Sequence, residues 1–199
     1  MAQNFSVRAG LKPFGDRGDK AVRKELTQLH NLHTYDSVYP KNFTKNQSMD
    51  ALNSLMFLID NRNGDFKARA CAAGSKQRKQ ENYRKEDYKS PTCSNEGVMI
   101  TSVIEAQEER YVDIIDITDA FLHALTDEEI YMLLRGRLAE LMVMVDPSLY
   151  YQYITYNYKC QALLYVNMNK SLNCLLKSAL QFYNRFRSYI GAYGFKVNP

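Results

Sequence analysis

Residues 112–123, Val-Asp-Ile-Ile-Asp-Ile-Thr-Asp-Ala-Phe-Leu-His, constrain this chain more than any other stretch. β-Branched residues crowd Tyr111 to Ile117, and such a run favours a strand. A strand needs partners, so the run predicts a sheet that other segments must complete. Asp116 sits at the end of the apolar run, just before the turn into Ala120–Ala124. An acid fixed at a strand end, with a tight turn behind it, holds its carboxylate where a divalent cation and phosphates can reach. Spacing alone equally allows a bland role, a strand-end aspartate that caps the next helix.

The segments available to complete the sheet are legible from their periodicity. Val22, Leu26 and Leu29 have helical spacing and predict a helix over 21–33. Ser48 to Leu55 predicts a short helix, after a connector over 34–47 that holds Pro40. Leu55–Ile59 and Phe66–Ala72 predict two strands, with Asn61-Arg-Asn-Gly64 between them as a tight turn. Residues 74–89 are polar and highly charged, and predict an exposed loop. Ser90-Pro91-Thr92 opens a helix over about 94–108 with Val98, Met99, Ser102 and Val103 on one face.

Further along, Ile130–Leu134 and Leu163–Met168 predict strands. Leu138–Met144 and Pro147–Tyr153 predict helices, with Pro147 in a first turn. Leu172–Ala192 carries a long helical apolar face, Gly194 ends it, and Phe195–Val197 restarts a strand. The order is mixed rather than strictly alternating, which predicts an α+β fold. It divides into a flexible arm over 1–19, a region over 20–110 and a second region over 111–199.

Composition adds charge. The chain carries 26 Lys and Arg against 22 Asp and Glu, unevenly placed. Residues 1–100 are net basic, acids cluster up to Asp146, and from Pro147 onward there are six bases and no acid. Two basic zones flanking an acidic one suit a chain that holds a polyanion and a metal ion. The run Lys67–Lys89 has eight bases and three acids. Within it Lys76, Arg78 and Lys79 are candidate contacts to a nucleic-acid backbone, and a solvated loop is the competing reading.

The four cysteines lack the spacing of a zinc knuckle and predict reduced thiols. No apolar run approaches the ~20 residues of a membrane span, and residues 1–10 lack a signal-type core. The expectation is an intracellular protein, cytoplasmic or nuclear, with no membrane partner.

The central motif and its surroundings resemble the copia-type retrotransposon reverse transcriptases. Ile115-Asp116-Ile117-Thr-Asp-Ala120-Phe121-Leu122, followed by Asp127-Glu128-Glu129-Ile130-Tyr131-Met132, matches that family's first catalytic motif and next strand in order and spacing. Lys24-Glu25-Leu26 with Gln28-Leu29-His30 resembles the leading helix. Ser54–Leu58, Asn63-Gly64 and Lys67-Ala-Arg69 resemble the fingers hairpin, and Gly74 with Lys76-Gln77 its continuation. Leu163–Val166, Lys170-Ser-Leu172 and Tyr193-Gly194-Phe195 resemble later palm segments.

The resemblance implies a partial right-hand polymerase fold: a fingers hairpin plus an incomplete palm sheet with packed helices, fingers-like over 20–110 and palm-like over 111–199. It implies Asp116 as the catalytic, metal-binding aspartate and Ile117 as the residue whose backbone lies near the incoming phosphates. Phe121 falls near the position that excludes a 2′-hydroxyl. Lys67 and Arg69 stand where a basic side chain neutralises the triphosphate. RNA template, DNA primer, dNTP and Mg²⁺ are the implied partners.

The chain also departs from the family pattern. No Tyr-x-Asp-Asp string occurs in it, and neither thumb nor RNase H segments are present, so the rest of a polyprotein is missing and the Mg²⁺ site is incomplete. Leu172-Asn173-Cys174 stands where the family has Leu-Tyr-Gly, and Leu176-Lys177-Ser178-Ala179 replaces its Gln and Pro pattern. Asp113 occupies a usually small apolar position and alternates away from Asp116. The expectation is a reverse transcriptase segment that is inactive alone. A non-catalytic nucleic-acid-binding remnant and a pseudogene product without function are the alternatives.

Overall fold

The computed structural model describes residues 3–60, 66–79, 84 and 87–196, with side chains from residue 15 onward except those of Arg78 and Lys79. The fold is mixed α+β, built around one seven-stranded sheet. Strand β1 spans Gln3–Ser6, helix α1 Val7–Asn31, β2 Tyr35–Val38 and α2 Lys45–Asp50. Then come β3 over Leu52–Asp60, β4 over Phe66–Ala72 and α3 over Asn95–Gln107. The remainder is β5 (Tyr131–Arg135), α4 (Arg137–Val145), α5 (Pro147–Tyr150), β6 (Thr155–Tyr156), β7 (Ala162–Met168) and α6 (Ser178–Ala192).

Strand β3 belongs to two layers of pairing. Its first two residues run parallel to β5, with Leu52 opposite Met132. From Ser54 on it pairs antiparallel with β4, Ser54 opposite Ala72 through Asp60 opposite Phe66, while β1 takes its other edge near the tip. The hairpin is therefore an outgrowth of the main sheet. That sheet continues β5–β7–β2 in antiparallel register, with β6 also on β7. The turn over Asn61–Gly64 lies outside the described residues.

The core lies between the sheet and helices α1 and α4. In β7 the side chains alternate, and Ala162, Leu164, Val166 and Met168 are buried. Val22, Leu26 and Leu29 of α1 are buried on the helical stripe the spacing predicts, and Leu138, Ala139, Leu141 and Met142 of α4 face them. Arg23 donates to the Met144 carbonyl at 3.0 Å, and Arg137 pairs with Asp19, so polar contacts also tie the two helices. Asp146 caps α5 by accepting from the Leu149 N–H at 3.1 Å, with Pro147 in the first turn.

Several expectations differ from what is found: Leu52–Leu55 belong to β3 rather than to a short helix, Gly74–Lys79 form a 3₁₀ helix with Gly74 and Gln77 buried, and Phe195 and Lys196 form no strand. Residues 7–20 are helical rather than a loose arm. The helix spans two pieces joined at Gly15, whose φ of 45° lets the chain kink without ending it. The connector over 34–47 contains β2, which completes the edge of the sheet beside β7.

The long helix predicted from Leu172 begins only at Ser178. Over 172–177 backbone groups are drawn elsewhere: the Asn173 carbonyl takes the Ala72 N–H, and the Leu176 N–H goes to Gln77 Oε1.

The largest difference is Tyr111–Ile117, which has no regular secondary structure and joins no strand, and Tyr111 to Asp116 are all exposed. β propensity is local, whereas a ladder needs an edge to bond, and no described strand pairs with this run. Asp113 is exposed with the rest, so it carries no burial penalty.

Candidate functional site

Helix α1 has a second stripe beside its buried one: Ala21, Lys24, Glu25 and Gln28. Strand β4 places Lys67 and Arg69 two residues apart, hence on one face, and both are exposed. The segment after α3 brings Asp116, Ile117, Thr118 and Asp119 against these two elements. Together with Ile59, Phe66, Ala68 and Asn173 they line one cleft of about 510 Å³.

Four of the residues singled out from the sequence thus meet at one place: Lys67, Arg69, Asp116 and Ile117. Phe121 lines the adjoining smaller cavity, which shares Glu25, Arg69, Ile117, Asp119 and Asn173 with the first. Its ring packs edge-on against Phe182 of α6, with centroids 6.3 Å apart.

The template-contact candidates lie elsewhere. Lys76 is half-buried and its ammonium donates to the Met49 carbonyl, away from the cleft. Arg78 and Lys79 fall outside the described side chains.

The turn after Asp116 is held by its neighbours. Asp119 stands in the left-handed region at φ 52° and leads the short 3₁₀ turn Ala120–His123, but its carboxylate does not cap that turn. It accepts instead from the Gln28 amide of α1. Asp116 itself is not the cap residue, so the bland role that spacing allowed is not the one it takes. Downstream, the acids Asp127 and Glu128 both pair with Lys177, and the Gln181 amide donates to Asp127 at 2.5 Å. The Glu128 hydrogen bond raises the Lys177 ammonium pKa.

Glu25, Gln28, Asp119 and Asn173 fall within motifs quoted from the sequence but are assigned no site role there. Glu25 and Gln28 could have been assigned one, because they fall three apart on the stripe that Lys24 shares. Glu25 accepts the Ala70 N–H at 2.8 Å and so anchors β4 to α1. Burial raises its carboxyl pKa, the bond from Ala70 opposes this, the Asp119 charge adds to it and Arg69 opposes it.

The cleft therefore carries cations from α1 and β4 together with carboxylates from α1 and the 116–119 turn. Such a site can bind a phosphorylated ligand through Lys67 and Arg69, with Arg suited to paired bonds. Among the described residues, no three His, Cys, Asp or Glu side chains converge as a metal site. The residues present do not fit a complete magnesium centre. No helix among the described residues is long and apolar enough to cross a membrane.

A family model described as reverse transcriptase (RNA-dependent DNA polymerase) matches residues 57–136. No solved structure matches the chain. The matched stretch runs from within β3 past β5 and includes Lys67, Arg69, Asp116, Ile117 and Phe121, whereas the α1 residues and Asn173 that also line the cleft lie outside it. Residues 57–136 of this chain thus carry the pattern of the copia-type reverse transcriptases.

Proposed function

We propose that this chain forms the nucleotide-facing part of a copia-type reverse transcriptase, a fingers hairpin on a partial palm sheet, and that these 199 residues alone bind but do not polymerise. The observation that carries the proposal is the cleft that gathers Lys67 and Arg69 with Asp116 and Ile117. On this reading Lys67 and Arg69 hold the triphosphate of a dNTP, Asp116 is the one metal-ligating carboxylate of the set, and Phe121 borders the sugar. The fingers-like part is 20–110 and the palm-like part 111–199. The family usually works with divalent metal ions, Mg²⁺ being the natural choice for phosphates. No Tyr-x-Asp-Asp string supplies further carboxylates within these 199 residues.

A second reading, a non-catalytic nucleic-acid binder, has its own support. Helix α6 exposes Arg185, Phe186, Arg187 and Tyr189, a basic and aromatic face, with the Arg185 guanidinium 4.7 Å from the Tyr189 ring centre. Primer extension on poly(rA)/oligo(dT), run beside dNTP binding by equilibrium dialysis and a low-salt gel shift, separates the readings. The proposal expects dNTP binding that Lys67→Ala/Arg69→Ala abolishes, and no incorporation. Nucleic-acid retention without dNTP binding favours the second reading. Incorporation that Asp116→Asn removes would overturn the claim of inactivity.

A further inference from the structure

Cys71, near the end of β4, and Cys174, in the segment before α6, stand side by side, each two or fewer residues from a cleft-lining residue, Arg69 and Asn173. The backbone holds them there. The Ala72 N–H donates to the Asn173 carbonyl at 3.0 Å, joining the neighbours of the two cysteines, and the Asn173 side-chain amide donates to the Ala70 carbonyl at 3.2 Å. Further along both segments the clamp continues. Gly74 is packed against the Cys174 carbonyl, and the Leu176 N–H donates to the buried Gln77 Oε1 at 3.0 Å. Within this frame the Cys174 thiol lies near enough to the Cys71 thiol to raise its pKa. Cys93 and Cys160 are also free, and both are exposed.

We infer that Cys71 and Cys174 form a disulfide on exposure to a small-molecule disulfide oxidant. The two members have different roles. Cys174 is exposed and meets the oxidant, while Cys71 is buried and cannot. Burial, then the Cys174 thiol itself, pushes the Cys71 thiol up to about 12, so Cys71 rests as the protonated partner.

With oxidised glutathione the Cys174 thiolate attacks one glutathione sulfur, the glutathione S–S bond breaks, and one glutathione leaves as thiolate. The sulfur of Cys71 then attacks Cys174 in the mixed disulfide, its proton passing to the glutathione thiolate already released. The second glutathione departs and takes a proton from solvent, matching the one Cys174 had given up. Two electrons have moved from the protein to oxidised glutathione, and two reduced glutathiones are the products.

The bond would fix the base of the β3–β4 hairpin to the segment that carries Asn173. That segment lines the cleft together with Arg69, so oxidation would restrain one cleft wall against the other. The inference does not depend on what the cleft binds.

The test uses the full 199-residue protein, treated with oxidised glutathione, alkylated, digested and read by mass spectrometry. The expected result is a peptide pair linked through Cys71 and Cys174, lighter by two hydrogen atoms, reversed by dithiothreitol and lost in Cys174→Ser. The double variant Cys93→Ser/Cys160→Ser, altered only at exposed thiols, should keep the link and rule out shuffling through them. Cys174 recovered only as alkylated or glutathionylated peptide, in a protein whose circular dichroism is native, would overturn the inference. So would linkage of Cys174 to Cys93 or Cys160.

Discussion

The carbonyl oxygen of Cys174 lies so close to Gly74 that a β-carbon there would meet it at 2.0 Å. The contact joins the exit of the β3–β4 hairpin to the segment leading into α6, and it is made by backbone that no side-chain rotation can clear. Gly74→Ala should therefore destabilise the protein by about 1–3 kcal/mol, the range for overpacking a tight contact. Urea unfolding of the reduced protein measures it. A loss below about 0.5 kcal/mol, usual for surface changes, would mean the two segments separate easily.

Cys174 itself sits at φ 70°, the left-handed region that favours glycine, the residue that the resemblance drawn from the sequence also implies there. A non-glycine residue pays about 1–2 kcal/mol in that region. Glycine regains part of this through its freer unfolded chain, about 0.5–1 kcal/mol. Under reducing conditions Cys174→Gly should thus be more stable than the parent by up to about 1 kcal/mol, read as a higher urea midpoint with an unchanged slope. A destabilised variant would show that the thiol's packing on Cys71 outweighs the backbone strain.

These two positions show where sequence reading reaches and where it stops. The β3–β4 pairing was legible because apolar runs flank an Asn-Gly pair in the sequence, and the α1 core stripe because Val22, Leu26 and Leu29 repeat at helical spacing. The meeting of Lys67, Arg69, Asp116 and Ile117 was legible only through the family pattern, since nothing in local spacing brings 67 near 116. The start of α6 was misplaced because Asn173 and Leu176 bond to β4 and Gln77, a choice made by tertiary contact. Tyr111–Ile117 was misread for a related reason. Its residues favour a strand, but its backbone finds no partner among the described strands. Glu25 was missed because its role comes from Ala70 and Arg69 arriving beside it.

The unpaired run has a measurable consequence. None of residues 91–116 is buried, and Met99 is 72% and Ile114 98% exposed, in a stretch that also bares Val98, Val103 and Ile115. Apolar surface on this scale, ending in an unpaired segment of high β propensity, favours dye binding and self-association. The double substitution Met99→Lys/Ile114→Lys should lower fluorescent-dye binding and shift sedimentation toward monomer. It should change unfolding stability by no more than about 0.5 kcal/mol, because neither side chain packs in the core. Unchanged sedimentation would locate the association, if any, on another face.

Glu25 links the site to pH. Its carboxyl is raised above the ordinary 4.5, chiefly by burial, so the folded protein holds that proton more tightly than the unfolded chain does. A group raised in this way contributes stability that is complete below its ordinary value and is lost as pH rises through the raised one. Glu25→Gln keeps an oxygen to accept the Ala70 N–H and removes the charge. The variant should therefore match the parent in acid and exceed it toward neutral pH, with the difference opening between 4.5 and the raised value. Other titrating groups, such as Asp146, whose pKa is lowered by Ser148, are common to both proteins and cancel in the difference. Urea midpoints of the pair across the acid-to-neutral range give the curve. Parallel midpoints throughout would mean that Glu25 is hydrated in solution, and that α1 and β4 do not close on it as they do here.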